Sequence, residues 1–240
     1  MKRVIGVAWF AIRAVYDEMF LLAGMGLIWF LVGIVAPMGL FTLASLLSPV
    51  ARWVGLLLGL LVLLPPVTAG LYSVAIEIAR EKRIEFGYFW SGIRSYARLS
   101  WALGAVVLAS GIIVVIDAVF YLSFDNVVFN VFGFLGLWAL LFWLAAQIYL
   151  FPLMIMLKDK QFKLSVRNTS LLALAYPFFA LGVLIVALLV TALSTVLFVP
   201  LATIWMPFIA LLYSRATISS LQEAETFQQQ IEPEEEQEEE

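Results

Sequence analysis

Residues 53–98 read WVGLLLGLLVLLPPVTAGLYSVAIEIAREKRIEFGYFWSGIRSYAR: an almost wholly apolar run of 27 residues, then five basic residues, Arg80, Lys82, Arg83, Arg94 and Arg98. A run of that length crosses the ~30 Å hydrocarbon core of a bilayer as one helix. The cluster of Lys and Arg behind it marks the cytoplasmic end of the crossing. Outward from this stretch the pattern repeats. Of the 14 Lys and Arg in the chain, 13 fall in segments that an alternating path places on one side, and only Arg52 falls on the other.

Composition agrees. Sixty-four per cent of the 240 residues are hydrophobic and 13% are charged, with a mean hydropathy of +1.03. A soluble fold cannot cover so much apolar surface with so little charge, whereas a bilayer allows a helix to be apolar all round. The reading is an all-α, six-span helical bundle in the bacterial cytoplasmic (inner) membrane, with both termini cytoplasmic. The expected spans are about 19–47, 53–79, 100–122, 129–157, 171–192 and 196–214. The last two come from one apolar block, 171–213, which as a single helix would reach about 65 Å, twice the hydrocarbon core. Thr191, Ser194 and Thr195 are the expected turn within it. Three amphipathic segments are expected on the inner surface, near 4–17, 85–98 and 160–169. At the N-terminus, Arg13, Asp17 and Glu18 interrupt the apolar run Val4–Ile12, which favours an interfacial helix over a cleaved signal. Residues 1–218 form the membrane domain, and 219–240 read as an acidic, disordered tail.

Each pair of spans carries related marks. Ile12-Arg13, Ile93-Arg94 and Val166-Arg167 precede the three hairpins. Pro66, Pro152 and Pro207 each stand six residues before the inner edge of a returning span, and Ala-x-Leu-Tyr-Ser occurs at both 69–73 and 210–214. Three sequential, parallel hairpins account for these marks. Chance matching of short motifs is the alternative.

Candidate chemistry is sparse. The chain has no Cys and no His, which removes thiolate and imidazole chemistry and the usual transition-metal ligands. No nucleophile–base pair or phosphate loop is visible, so no enzyme activity, cofactor, metal or nucleic-acid partner is expected. Pro65 and Pro66 free backbone carbonyls one turn earlier, and Thr68 is placed to satisfy one of them. The kink, with Pro152 and Pro207, reads either as a packing feature or as the wall of a cavity. Asp117 is the one carboxylate well inside a span, read as interfacial or paired with Arg52, or else as a cation site. Gln147 reads as an interhelical hydrogen bond. Glu77, Arg80 and Glu81 have the spacing of helical ion pairs. Arg80, Lys82, Arg83, Arg94, Lys158, Lys160, Lys163 and Arg167 form a basic inner face for anionic lipid or a partner protein.

The run Leu64-Pro65-Pro66-Val67-Thr68-Ala69-Gly70-Leu71-Tyr72, followed by Phe89-Trp90-Ser91-Gly92-Ile93-Arg94 and by Phe151-Pro152, resembles the YesL-like family of bacterial membrane proteins over about residues 15–213. The chain departs from that family in lacking a proline after Gly70 and in its acidic tail. The family has no established biochemical activity. Its association with carbohydrate uptake and degradation systems implies a non-enzymatic accessory role beside a solute transporter. The alternative is a small permease whose path is lined by the Pro-kinked even-numbered spans.

Overall fold

The structure, a computed structural model, describes residues 2–82, 84–124, 126–157 and 162–238. Among these the secondary structure is entirely helical. Helix α1 (Lys2–Asp17) leads into α2 (Met19–Phe30), a π-helical turn over Leu31–Val35, and α3 (Ala36–Ser45). Pro37 explains the wide turn. Its ring would collide with the carbonyl one α-turn earlier, and opening that turn relieves the clash. Helix α4 (Pro49–Ala79) begins where the Ser48 hydroxyl accepts from Ala51 N at 3.0 Å, a side-chain N-cap. Helix α5 (Phe86–Leu122) and helix α6 (Val127–Met156) follow, the latter capped by Asn126 Oδ1 accepting from Val128 N at 2.9 Å. Helices α7 (Phe162–Ala175), α8 (Pro177–Val196), α9 (Val199–Thr203) and α10 (Trp205–Glu238) complete the chain.

Five helical stretches, 19–45, 49–79, 86–122, 127–156 and 177–196, are long and apolar enough to cross a membrane. The sixth crossing follows from contacts. Arg3 lies over the rings of Tyr176 and Phe179, at the start of α8, and also bonds Ser219 and Ser220 of α10. Helix α8 carries the chain about 30 Å away from that level. Residues 197–215 therefore cross back, as α9 and the first turns of α10. Pro200, Pro207 and Arg215 make this crossing broken and less apolar than the others.

Four boundaries differ from expectation. The fifth span begins at Pro177 and not near 171, because Pro177 starts a new helix after α7 ends at Ala175. The last turn falls at Leu197–Phe198, not at Thr191–Thr195, because Thr191 and Thr195 satisfy their hydroxyls on the carbonyls of Ala187 and Thr191, one turn back. The second amphipathic segment does not lie apart from its span but is the first part of the 37-residue α5, about 55 Å long. Helix α10 runs on past residue 218 into the segment read as a tail. Arg3 anchors its first turn there, through Ser219 and Ser220.

Helix α1 has three faces. Val7, Ala11 and Ala14 are buried against the bundle, while Ile5, Trp9, Ile12 and Tyr16 form an exposed apolar stripe. Lys2, Arg13 and Asp17 lie along a third edge by helical spacing. Its start meets Phe179 and its end faces Lys82 across a surface groove, so it lies flat along one end of the bundle, as an interfacial helix does.

Candidate functional site

The three returning helices, α4, α6 and α10, pack on one another and hold most of the large buried side chains. Tyr72 of α4 stacks on Phe151 of α6 with centroids 5.3 Å apart. The Arg215 guanidinium of α10 donates to the Ala79 carbonyl at 3.0 Å and lies 4.7 Å over the Phe10 ring. It thereby supplies a donor and positive charge to the carbonyl end of α4, where both are favourable. Helices α2–α3, α5 and α8 clad this inner triangle.

Each hairpin is clasped by an indole. An N–H cannot remain unpaired in hydrocarbon without a cost of several kcal/mol, about 2–7 depending on the reference. Trp29 of α2 donates to Thr68 Oγ1 of α4 at 2.9 Å, Trp143 of α6 to Ser110 Oγ of α5 at 2.9 Å, and Trp205 of α10 to Thr191 Oγ1 of α8 at 2.8 Å. Each accepting hydroxyl donates in turn to a carbonyl of its own helix: Leu64, Val106 and Ala187. A fourth indole, Trp101 of α5, donates to the Val62 carbonyl of α4 at 2.9 Å. That carbonyl lies four residues before Pro66, which has no N–H to give it. Trp101, not Thr68, satisfies it, and Thr68 bonds Leu64 instead.

Beside this proline pair is an apolar groove of about 710 Å³ between α4, α5 and α6, with buried Trp29 and Met206 also lining it. Of the predicted kink and cavity residues, Pro65 and Thr68 line it. Pro66 and Pro152 are buried without lining it, and Pro207 is buried beside Gly26 of α2. Asp117 is exposed on α5 and forms no ion pair with Arg52 among the described residues. The Arg52 guanidinium lies 5.5 Å over the Trp53 ring instead. Gln147 does not bridge helices through its amide N–H, which donates to the Trp143 carbonyl of α6 itself at 3.2 Å.

At the end carrying α1, Glu77 holds Lys82 at 2.7 Å and Arg80 at 3.6 Å. It faces a polar pocket of about 220 Å³ with Ser73, Tyr88, Ser91 and Tyr96. Glu81 stands outside this pair and has φ 61°, the left-handed position that ends a helix. Arg94 and Arg98 of α5, with Lys163 and Arg167 of α7, are exposed and have no carboxylate partner among the described residues. Tyr96 and Leu99 pack with Phe162 and Val166 around one small apolar cluster, so the two basic segments are neighbours. Arg83, Lys158 and Lys160 lie outside the described residues.

Among the described residues, Arg3 is the best-anchored cation. Its Nε donates to Ser219 Oγ at 2.9 Å, one Nη to Ser220 Oγ at 3.1 Å and the other to Glu223, while the Phe179 ring lies 3.9 Å below. Burial lowers its pKa from the usual value, and Tyr149 and Tyr176 oppose that shift. Arginine still remains cationic throughout the physiological range.

The clasping tryptophans and the Arg3 and Arg215 contacts were not read from the sequence. The available signal was the indole itself, since a Trp deep in an apolar span needs an acceptor on another helix. No protein-family model, curated protein or solved structure matches this chain.

Proposed function

We propose that this chain is a non-enzymatic accessory protein of the bacterial inner membrane. On this reading its basic face is cytoplasmic and engages a component of a solute uptake system, with carbohydrate as the solute class implied by the YesL-like resemblance. The observation that carries the reading is the neighbouring pair of basic segments on α5 and α7. Arg94, Arg98, Lys163 and Arg167 stand exposed there without internal acidic partners among the described residues, while Arg80 and Lys82 nearby are held by Glu77. Unpaired charge on one face steers and selects a partner of opposite sign. The returning helices give the permease alternative little support, since the Tyr72–Phe151 stack and buried Leu211, Leu212 and Met154 fill the space between them.

The test is mild-detergent affinity purification from the native cell, at low and high salt, with the quadruple variant R94Q/R98Q/K163Q/R167Q alongside. A stoichiometric transporter subunit, lost in high salt and in the variant, is the expected result. A partner-free protein, or a partner indifferent to both changes, would overturn the proposal and move attention to reconstituted uptake.

A further inference from the structure

We infer that the apolar groove between α4, α5 and α6 is a binding site for one acyl chain of a bilayer lipid. Its polar neighbours are already committed. Thr68 accepts from Trp29 and donates to Leu64, and Trp143 donates to Ser110. A polar solute in the groove would leave its own donors and acceptors unpaired, whereas hydrocarbon has none to satisfy.

The groove is built so that it does not close. A Cβ at Gly104 would lie 2.5 Å from Pro65 Cγ, and one at Gly111 would lie 2.8 Å from Trp143 Cζ2. Helix α5 thus already rests against α4 at one point and against α6 at another. These contacts fix the spacing of the three helices and leave the recess between them open. Along α5 the lining runs from Gly104 to Ile116, about 18 Å. At its lip Ile112, Val115 and Ile116 are 47%, 46% and 61% exposed, so it opens sideways at the depth of the apolar spans.

Access decides between occupants. The lip opens among the apolar spans, where the surrounding fluid is hydrocarbon, so lipid reaches the groove without any partner protein. A hydrocarbon chain ~4 Å thick fits along the full length with room for its bends. The site is independent of the basic face and of the accessory role proposed for it.

The test uses the full chain in phosphatidylethanolamine–phosphatidylglycerol vesicles doped with a phospholipid carrying a diazirine at mid-chain. After irradiation, adducts are mapped by peptide mass spectrometry. Adducts on Leu108, Ile112 and Val115 should exceed, several-fold, those on Ile113 and Val119, which are more exposed but lie outside the groove. Val115→Trp, which plugs the lip, should remove most groove adducts, and Val119→Trp should not. Adducts distributed in proportion to exposure in the wild-type chain would mean ordinary surrounding lipid and overturn the inference. So would a correctly folded Val115→Trp with unchanged groove adducts. The wild-type distribution decides the matter even if the plugging variant does not fold.

Discussion

Trp101→Phe offers a quantitative test of how the prolines inside α4 are tolerated. In the native chain the Trp101 indole is bonded at 2.9 Å to the Val62 carbonyl, and Val62 is 50% exposed at mid-helix, toward lipid. Removing the N–H strands that carbonyl in hydrocarbon, because Pro66 offers no amide in its place. Interhelical hydrogen bonds in membranes average ~0.6 and reach ~1.7 kcal/mol, and a stranded buried acceptor costs about 1–3 kcal/mol. The expected loss is therefore about 1–2 kcal/mol. Some of that would be lost ring packing, so a double-mutant cycle is needed. Pro66→Ala restores a backbone N–H to the same carbonyl, and in that background Trp101→Phe should cost about 1 kcal/mol less. The assay is equilibrium unfolding of the full chain in mixed micelles, dodecylmaltoside titrated with sodium dodecyl sulfate and followed by circular dichroism. Equal costs in both backgrounds, within the ~0.5 kcal/mol scatter of independent sites, would refute the pairing of indole and proline.

Gly26→Ala should destabilise by about 2 kcal/mol or more in the same assay, because the new Cβ would collide with the Thr203 carbonyl oxygen. Gly24→Ala, in the middle of α2 with nothing within 4 Å of its Cβ, should be neutral or stabilise by up to ~1 kcal/mol. Arg3→Gln should release the C-terminal turns of α10 from α1 and α8. Amide exchange over Ser219–Glu225 should then speed up several-fold while Leu211 and Leu212 stay protected, and unchanged exchange would show the clasp to be idle. For topology, single cysteines in this Cys-free chain at Tyr88 and Lys163 should react with an impermeant thiol reagent only after the membrane is opened. Cysteines at Leu47 and Phe124 should react in intact cells, and the opposite pattern would invert the orientation.

The places where expectation and structure part share a cause. Asp117 and Arg52 looked like partners because both were expected near the same membrane boundary, yet depth says nothing about which way a helix faces. Gln147 looked like a bridge, but its amide reaches its own helix one turn back. Thr191 and Thr195 looked like a turn, but hydroxyls that bond the preceding carbonyls are at home inside an apolar helix.

The membrane class, the charge asymmetry and the five long apolar helices were legible in the residues alone, whereas the broken sixth crossing needed contacts. Apolar run length against bilayer thickness, and basic residues between runs, are local quantities that no packing detail overrides. The prolines also marked where a backbone carbonyl must find another donor, since a proline lacks its N–H wherever it stands. Which donor answers was settled only in three dimensions. Trp101 reaches Val62 across 39 residues, Arg215 caps α4 across 136, and Arg3 grips Ser219 across 216. The groove likewise needs Pro65, Gly104 and Trp143 on three helices at once. Such contacts depend on helix rotation and register, which small residues and close approach settle in a bilayer where apolarity drives no helix toward another.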